Sequence, residues 1–206
     1  FLILPWALRQ NRSELVTKRL PLHVFRNGIH YLGNIGWFLG VTLVTLADLQ
    51  ALQFTTPLFV VVMAALFLRE SVGPHRWIAT ALGFVGALVI IRPGFIEISF
   101  GTAAVVMSAF FYASSQTATK ALSRTDAPNA ILLYMALIFI PISAVPAAFV
   151  WVTPSWEDLI PILLLGLSGY WAHSCMIRSF ATADASFVMP FDFLRLPFAA
   201  LLGFFL

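Results

Sequence analysis

Long apolar stretches separated by short polar clusters run along the whole chain, at residues 20–44, 46–68, 75–91, 100–122, 129–150, 159–180 and 185–206. Each is close to the roughly 20 residues a helix needs to cross the hydrocarbon core of a bilayer, so the pattern predicts an all-α membrane protein. The connections carry helix breakers, among them Ser71-Val72-Gly73-Pro74, Arg92-Pro93-Gly94 and Asp126-Ala127-Pro128, and no separate soluble domain fits between them. The chain opens inside a further apolar run, 1–8, and is still apolar at 199–206. It is therefore expected to be incomplete at both ends, and no signal peptide can be read from it.

Within the spans, polar residues recur at helical spacing. Asn27, His30, Tyr31, Asn34 and Trp37 follow one another at three- and four-residue steps and share a face. Gly33, Gly36 and Gly40 lie on an adjacent face, where missing side chains let another helix approach closely. The same phase links Gln50, Gln53 and Pro57, then Tyr112, Ser115, Gln116 and Thr119, then Gly166, Gly169, Tyr170 and His173. Spans 75–91 and 129–150 carry few interior polar groups and are expected at the periphery. A polar side chain in lipid is costly unless it faces protein or water, so the striped spans and 185–206 are expected to surround a polar cavity. The candidate substrate-binding residues are Asn34, Trp37, Gln53, Tyr112, Gln116, Tyr170, Asp192 and Arg195. The alternative for each stripe is interhelical hydrogen bonding, at about 1 kcal/mol per bond.

Asp192 and Arg195 are three residues apart on one face, inside a span where either charge alone would cost several kcal/mol. Two readings stand: Arg195 engages an anionic group while Asp192 neutralises it or exchanges a proton, or the two form a self-compensating ion pair. Arg26 is expected to reach the headgroups from its helix end, and Glu70 to be solvated or paired with Arg69. Pro57 and Pro190 each remove a helix hydrogen bond, which either frees carbonyls toward the cavity or kinks a packed helix, the kink being the expected result. The aromatic rings of Trp37, Tyr112, Tyr170 and Trp171 could stack on an organic substrate, although aromatics are common throughout membrane proteins.

Composition agrees with this picture: 60% of the residues are hydrophobic and 10% charged, outside the usual range for a soluble domain. The formal charge of +3 is scattered in clusters between apolar spans, which argues against nucleic-acid binding. Arg9, Arg12, Lys18, Arg19, Arg69, Arg76, Lys120, Arg124 and Arg178 fall on one side of the predicted topology. Arg92 stands on the other, with Glu97, Glu157 and Asp158. Retained loops accumulate positive charge, so the first side is expected to be cytoplasmic. The single cysteine, Cys175, has no partner for a disulfide. His23, His30, His75 and His173 lack metal-ligand spacing, and neither metal nor cofactor is expected.

The segment Ala47-Asp48-Leu49-Gln50-Ala51-Leu52-Gln53-Phe54-Thr55-Thr56-Pro57-Leu58, running on to Leu68-Arg69-Glu70, resembles the fourth helix of EamA-type transporters. Gly83-Phe84-Val85-Gly86 and Arg92-Pro93-Gly94 look like the end of the same repeat. Ala183-Asp184-Ala185-Ser186-Phe187-Val188-Met189-Pro190-Phe191 with Leu194-Arg195-Leu196-Pro197 is similar to the equivalent helix of the second repeat. The resemblance implies the drug/metabolite transporter superfamily, with ten helices in two inverted five-helix repeats. On that map residues 1–94 run from the end of helix two through helix five, and 95–206 comprise helices six to nine. Helices one and ten, and the acidic residue expected after helix nine, fall outside the chain.

The leading expectation is a multi-pass inner-membrane transporter that moves a small organic metabolite, such as an amino acid or amine, by alternating access. Its partners would be that metabolite and the lipid bilayer. A homodimer is compatible with the sequence, though no uninterrupted small-residue seam compels one. An intramembrane enzyme acting on a lipid-linked substrate is the alternative, with His173 and Asp184 its best candidates. A noncatalytic assembly subunit would bury its polar stripes without any cavity.

Overall fold

The computed structural model describes residues 15–91 and 99–198. The apolar runs 1–8 and 199–206, Arg9, Arg12, the 92–94 breaker and Glu97 lie outside the described residues. The helices are α1 (Leu20–Leu43), α2 (Leu46–Gln53), α3 (Thr55–Phe67), α4 (Pro74–Ile91), α5 (Phe100–Ser123), α6 (Pro128–Phe149), α7 (Leu159–Thr182) and α8 (Ala185–Val188). A 3-10 turn, Met189–Leu194, continues from α8. Among the described residues the protein is all-α, the architecture of a polytopic membrane protein. Leu46–Phe67, Pro128–Phe149 and Leu159–Thr182 are long and apolar enough by themselves to cross a membrane.

Local chemistry sets the helix ends. Thr45 caps α2 by accepting from the Asp48 backbone N–H. Pro74 and Pro128 open α4 and α6, positions where a missing N–H costs nothing. The run 46–68, expected as one helix, is interrupted at Phe54, whose N–H is shared among the carbonyls of Gln50, Ala51 and Leu52. Pro57 then sits in the first turn of α3 and does not break a helix interior. The last span also departs from expectation. Its regular helix gives way after four residues to the 3-10 turn, with Pro190 at the turn's start. Proline has no N–H to continue the α pattern there.

The chain divides into two compact units, one of residues 1–28 and 119–182, the other of 29–118 and 183–206. In the first unit, Leu122, Ile131, Leu132 and Ile177 form the apolar core, with Leu22 and Tyr170 packed against it. At its polar end His23 Nε2 lies 2.8 Å from Asp126 Oδ2, and Thr17 donates to the same oxygen. Arg26 does not reach outward as expected. It is buried, with Nε donating to Thr119 at 2.9 Å and a terminal nitrogen to Asn27 at 2.7 Å, so these neighbours supply the acceptors that headgroups would otherwise provide.

In the second unit, the glycine face of α1 packs against α5. A Cβ on Gly36 would lie 3.0 Å from the Ala104 carbonyl oxygen, and one on Gly40 only 2.3 Å from a Val105 methyl. This is the close backbone approach expected from the glycine spacing. Phe54 stacks on Phe193 with ring centroids 5.5 Å apart, and Phe84 and Leu196 pack beside them. Gly83 of α4 leaves room for the Phe193 ring, which would otherwise meet a Cβ at 2.3 Å. α4 presents Trp77, Ile78, Leu82 and Val85 outward, as a peripheral helix should.

Candidate functional site

A polar cavity of about 240 Å³ opens in the second unit. Trp37 comes to it from α1, Gln50 and Gln53 from α2, Thr56 from α3, Tyr112 and Gln116 from α5, and Asp192 and Arg195 from the last span. A larger cavity of about 410 Å³, lined by His75, Arg76, Ser186, Phe187, Phe191 and Leu194 among others, is mainly apolar. The smaller one is the better candidate, because orienting a metabolite requires several convergent polar groups.

The break at Phe54 belongs to this site. It lets Gln53 close α2 while Thr56 stands in the first turn of α3, and the Gln53 carboxamide links the two: Nε2 donates to Ser108 Oγ at 3.1 Å, and Oε1 accepts from Thr56 at 3.4 Å. Ser108 in turn donates to the Gly33 carbonyl at 2.8 Å. Tyr112 donates its hydroxyl hydrogen to Asn34 Oδ1 at 2.7 Å, so Asn34 stands behind the cavity wall and orients a lining ring. Arg195 lies 3.6 Å from Asp192, and its guanidinium carbon is 4.5 Å from the centre of the Phe54 ring. The 3-10 geometry keeps the two charged side chains on one face.

Of the candidate residues, Trp37, Gln53, Tyr112, Gln116, Asp192 and Arg195 line this cavity, and Asn34 bonds to it. Tyr170 does not line it. It belongs to the first unit, where Gly166, Gly169, Tyr170 and His173 line a mainly apolar pocket of about 250 Å³ with Leu132 and Phe139 of α6. Helical phase identified that face but not the neighbour it meets. Gln50 and Thr56, also in the lining, carried a readable signal, since both lie within a turn of Gln53. Among the described residues, no group of three or more His, Cys, Asp or Glu gathers closely enough to hold a metal ion.

Glu70 is a correction. It is neither solvated nor paired with Arg69 but buried, accepting from the backbone N–H groups of Ala185 and Ser186 at 3.0 Å each and from the Ser186 hydroxyl at 2.8 Å. It caps α8, because Asp184, the residue in the cap position, makes no side-chain cap bond. Asp184 instead binds Arg76 at 2.9 Å, and Arg76 also donates to Ser186.

Residues 1–92 match the EamA-like transporter family. Among curated proteins, the chain is 34% identical over 203 residues to a riboflavin transporter of Rhizobium johnstonii, covering 97% of this chain and 67% of that protein. It is 33% identical to a riboflavin transporter of Vibrio cholerae, over 93% of this chain and 65% of that one. To an S-adenosylmethionine uptake transporter of Rickettsia felis it is 26% identical, over 99% and 69%. The chain thus spans about two thirds of the length of these relatives. A solved crystal structure superposes with a TM-score of 0.71 at 16% identity, covering 92% of this chain and 66% of that one, a likeness of fold.

Proposed function

Because this chain belongs to the EamA-like transporter family, within the drug/metabolite transporter superfamily, we propose that it forms the substrate-binding part of a multi-pass inner-membrane transporter for a small organic metabolite. The observation that carries the reading is the convergence of polar side chains from α1, α2, α3, α5 and the last span on one cavity. In lipid such groups are costly unless they meet one another or an aqueous path. An assembly subunit would have no use for the cavity. The relatives are transporters by name, and the chain is not an enzyme. Asp184, a candidate for catalysis, is held by Arg76.

Alternating access between two inverted repeats, residues 1–94 and 95–206, is the proposed mechanism. The substrate would be exposed to each side of the membrane in turn, with the basic loops cytoplasmic. Amino acids, amines, riboflavin and S-adenosylmethionine form the panel to test, the last two because relatives bear those names. The full-length protein is reconstituted into liposomes and uptake of each labelled compound is measured. Saturable, protein-dependent uptake of one of them is expected. A folded sample that moves none would sink the proposal.

A further inference from the structure

The polar groups around the cavity divide into those already engaged and those still free, and the division specifies what a ligand must bring. Gln53 is engaged at both ends of its carboxamide, by Ser108 and Thr56, and the Tyr112 hydroxyl hydrogen goes to Asn34. The charged side chains in the lining are Asp192 and Arg195, which face each other. They form an ion pair at 3.6 Å with no hydrogen bond between them, and the guanidinium rests over the Phe54 ring.

What remains outside any hydrogen bond or ion pair is uncharged. Among the described residues, the side chains of Trp37, Gln50 and Gln116 make no hydrogen bond, and the Gln116 carbonyl oxygen is buried without a donor. A carboxamide presents an acceptor and donors side by side, and a buried acceptor left without a partner calls for a ligand or water to supply one. The complement of two free carboxamides is an edge that carries both N–H and C=O. A ligand with net charge would lose its hydration here and find the opposite charge already paired.

Building on the transport reading above, we infer that the cavity selects an uncharged planar compound with an amide or imide edge, held by Gln116 and Gln50 beside the Trp37 ring. Gln116 sets the specificity: rotating its carboxamide brings the unpartnered oxygen to the ligand N–H. Ligands with a fixed sulfonium or a phosphate are excluded by the same charge balance.

The test uses the full-length protein in liposomes, wild type and Gln116→Met, with four probes. Riboflavin carries an imide N–H, 3-methylriboflavin replaces that hydrogen with a methyl group, riboflavin 5′-phosphate keeps the ring and adds charge at the end of its ribityl chain, and S-adenosylmethionine is a sulfonium. The wild type is expected to move riboflavin with a kcat/KM at least about tenfold above each of the other three. In Gln116→Met, riboflavin transport should fall about tenfold and the preference over 3-methylriboflavin should vanish, whereas a purely structural role would lower both probes together and leave the preference intact. Equal transport of riboflavin and its 3-methyl form, or preference for a charged probe or an amine, overturns the inference and leaves transport standing. A folded protein that moves neither these probes nor the amino acids and amines overturns both.

Discussion

Arg195 acts on two neighbours at once, through its charge on Asp192 and through its face on the Phe54 ring. Arg195→Ala would leave a carboxylate in the cavity lining without its counter-ion. Uptake is expected to fall at least about tenfold while the protein still inserts and elutes as a single species; unchanged uptake would remove Arg195 from the site. Gln53→Ala acts differently, because Gln53 is buried and bridges Thr56 to Ser108. Its loss should lower both uptake and stability, the latter by about 1–3 kcal/mol, read from thermal unfolding in detergent. Asp126, in the loop before α6, gives a pH signature. Burial opposes its charge, but hydrogen bonds from Thr17, His23 and Thr125, with the charge of His23, hold its pKa below the usual carboxylate value. A carboxyl whose pKa is lower folded than unfolded stabilises the fold above about pH 4 and loses that contribution as pH falls through the folded value. Asp126→Asn should therefore melt a few degrees below the wild type at pH 7, with the gap closing in acid.

At the scale of the elements, the fold depends on two kinds of contact, and only one of them was legible in the sequence. The glycine face of α1 and the polar face beside it could be read from three- and four-residue spacing, because helical phase is a local property. That face does meet a neighbouring helix closely, and the structure identifies the neighbour as α5. Gly36→Val would drive a Cβ toward the Ala104 carbonyl, which is backbone and cannot swing aside, and should cost about 1–3 kcal/mol as a lowered melting temperature. The second kind was hidden. Glu70 and Arg26 read as ordinary helix-end charges because their partners are set by tertiary folding: Ser186 is 116 residues from Glu70, and Thr119 is 93 from Arg26. The break at Phe54 was hidden as well, since the apolar run 46–68 contains no glycine and its proline falls in a first turn. Tyr170 shows the limit of phase from the other direction, for a stripe reveals a face and not what covers it. Glu70→Ala should free the amides of Ala185 and Ser186, raising their hydrogen-exchange rates while those of α5 stay slow.

For the whole molecule, the charge distribution makes the orientation testable independently of substrate. In a Cys175→Ser background, Ser155→Cys lies in the acidic loop before α7 and Ser71→Cys in the basic loop before α4. A membrane-impermeant maleimide should label the first in intact cells and the second only after permeabilisation; the reverse pattern would invert the proposed topology. The Glu70 cap also bears on biosynthesis. Glu70 leaves the ribosome about 115 residues ahead of the first amide it will hold, and at roughly 5–20 residues per second that is a wait on the order of ten seconds. During this interval the carboxylate needs headgroup water, so this corner of the protein stays hydrated in the nascent chain and can be sealed only when translation has delivered the final span.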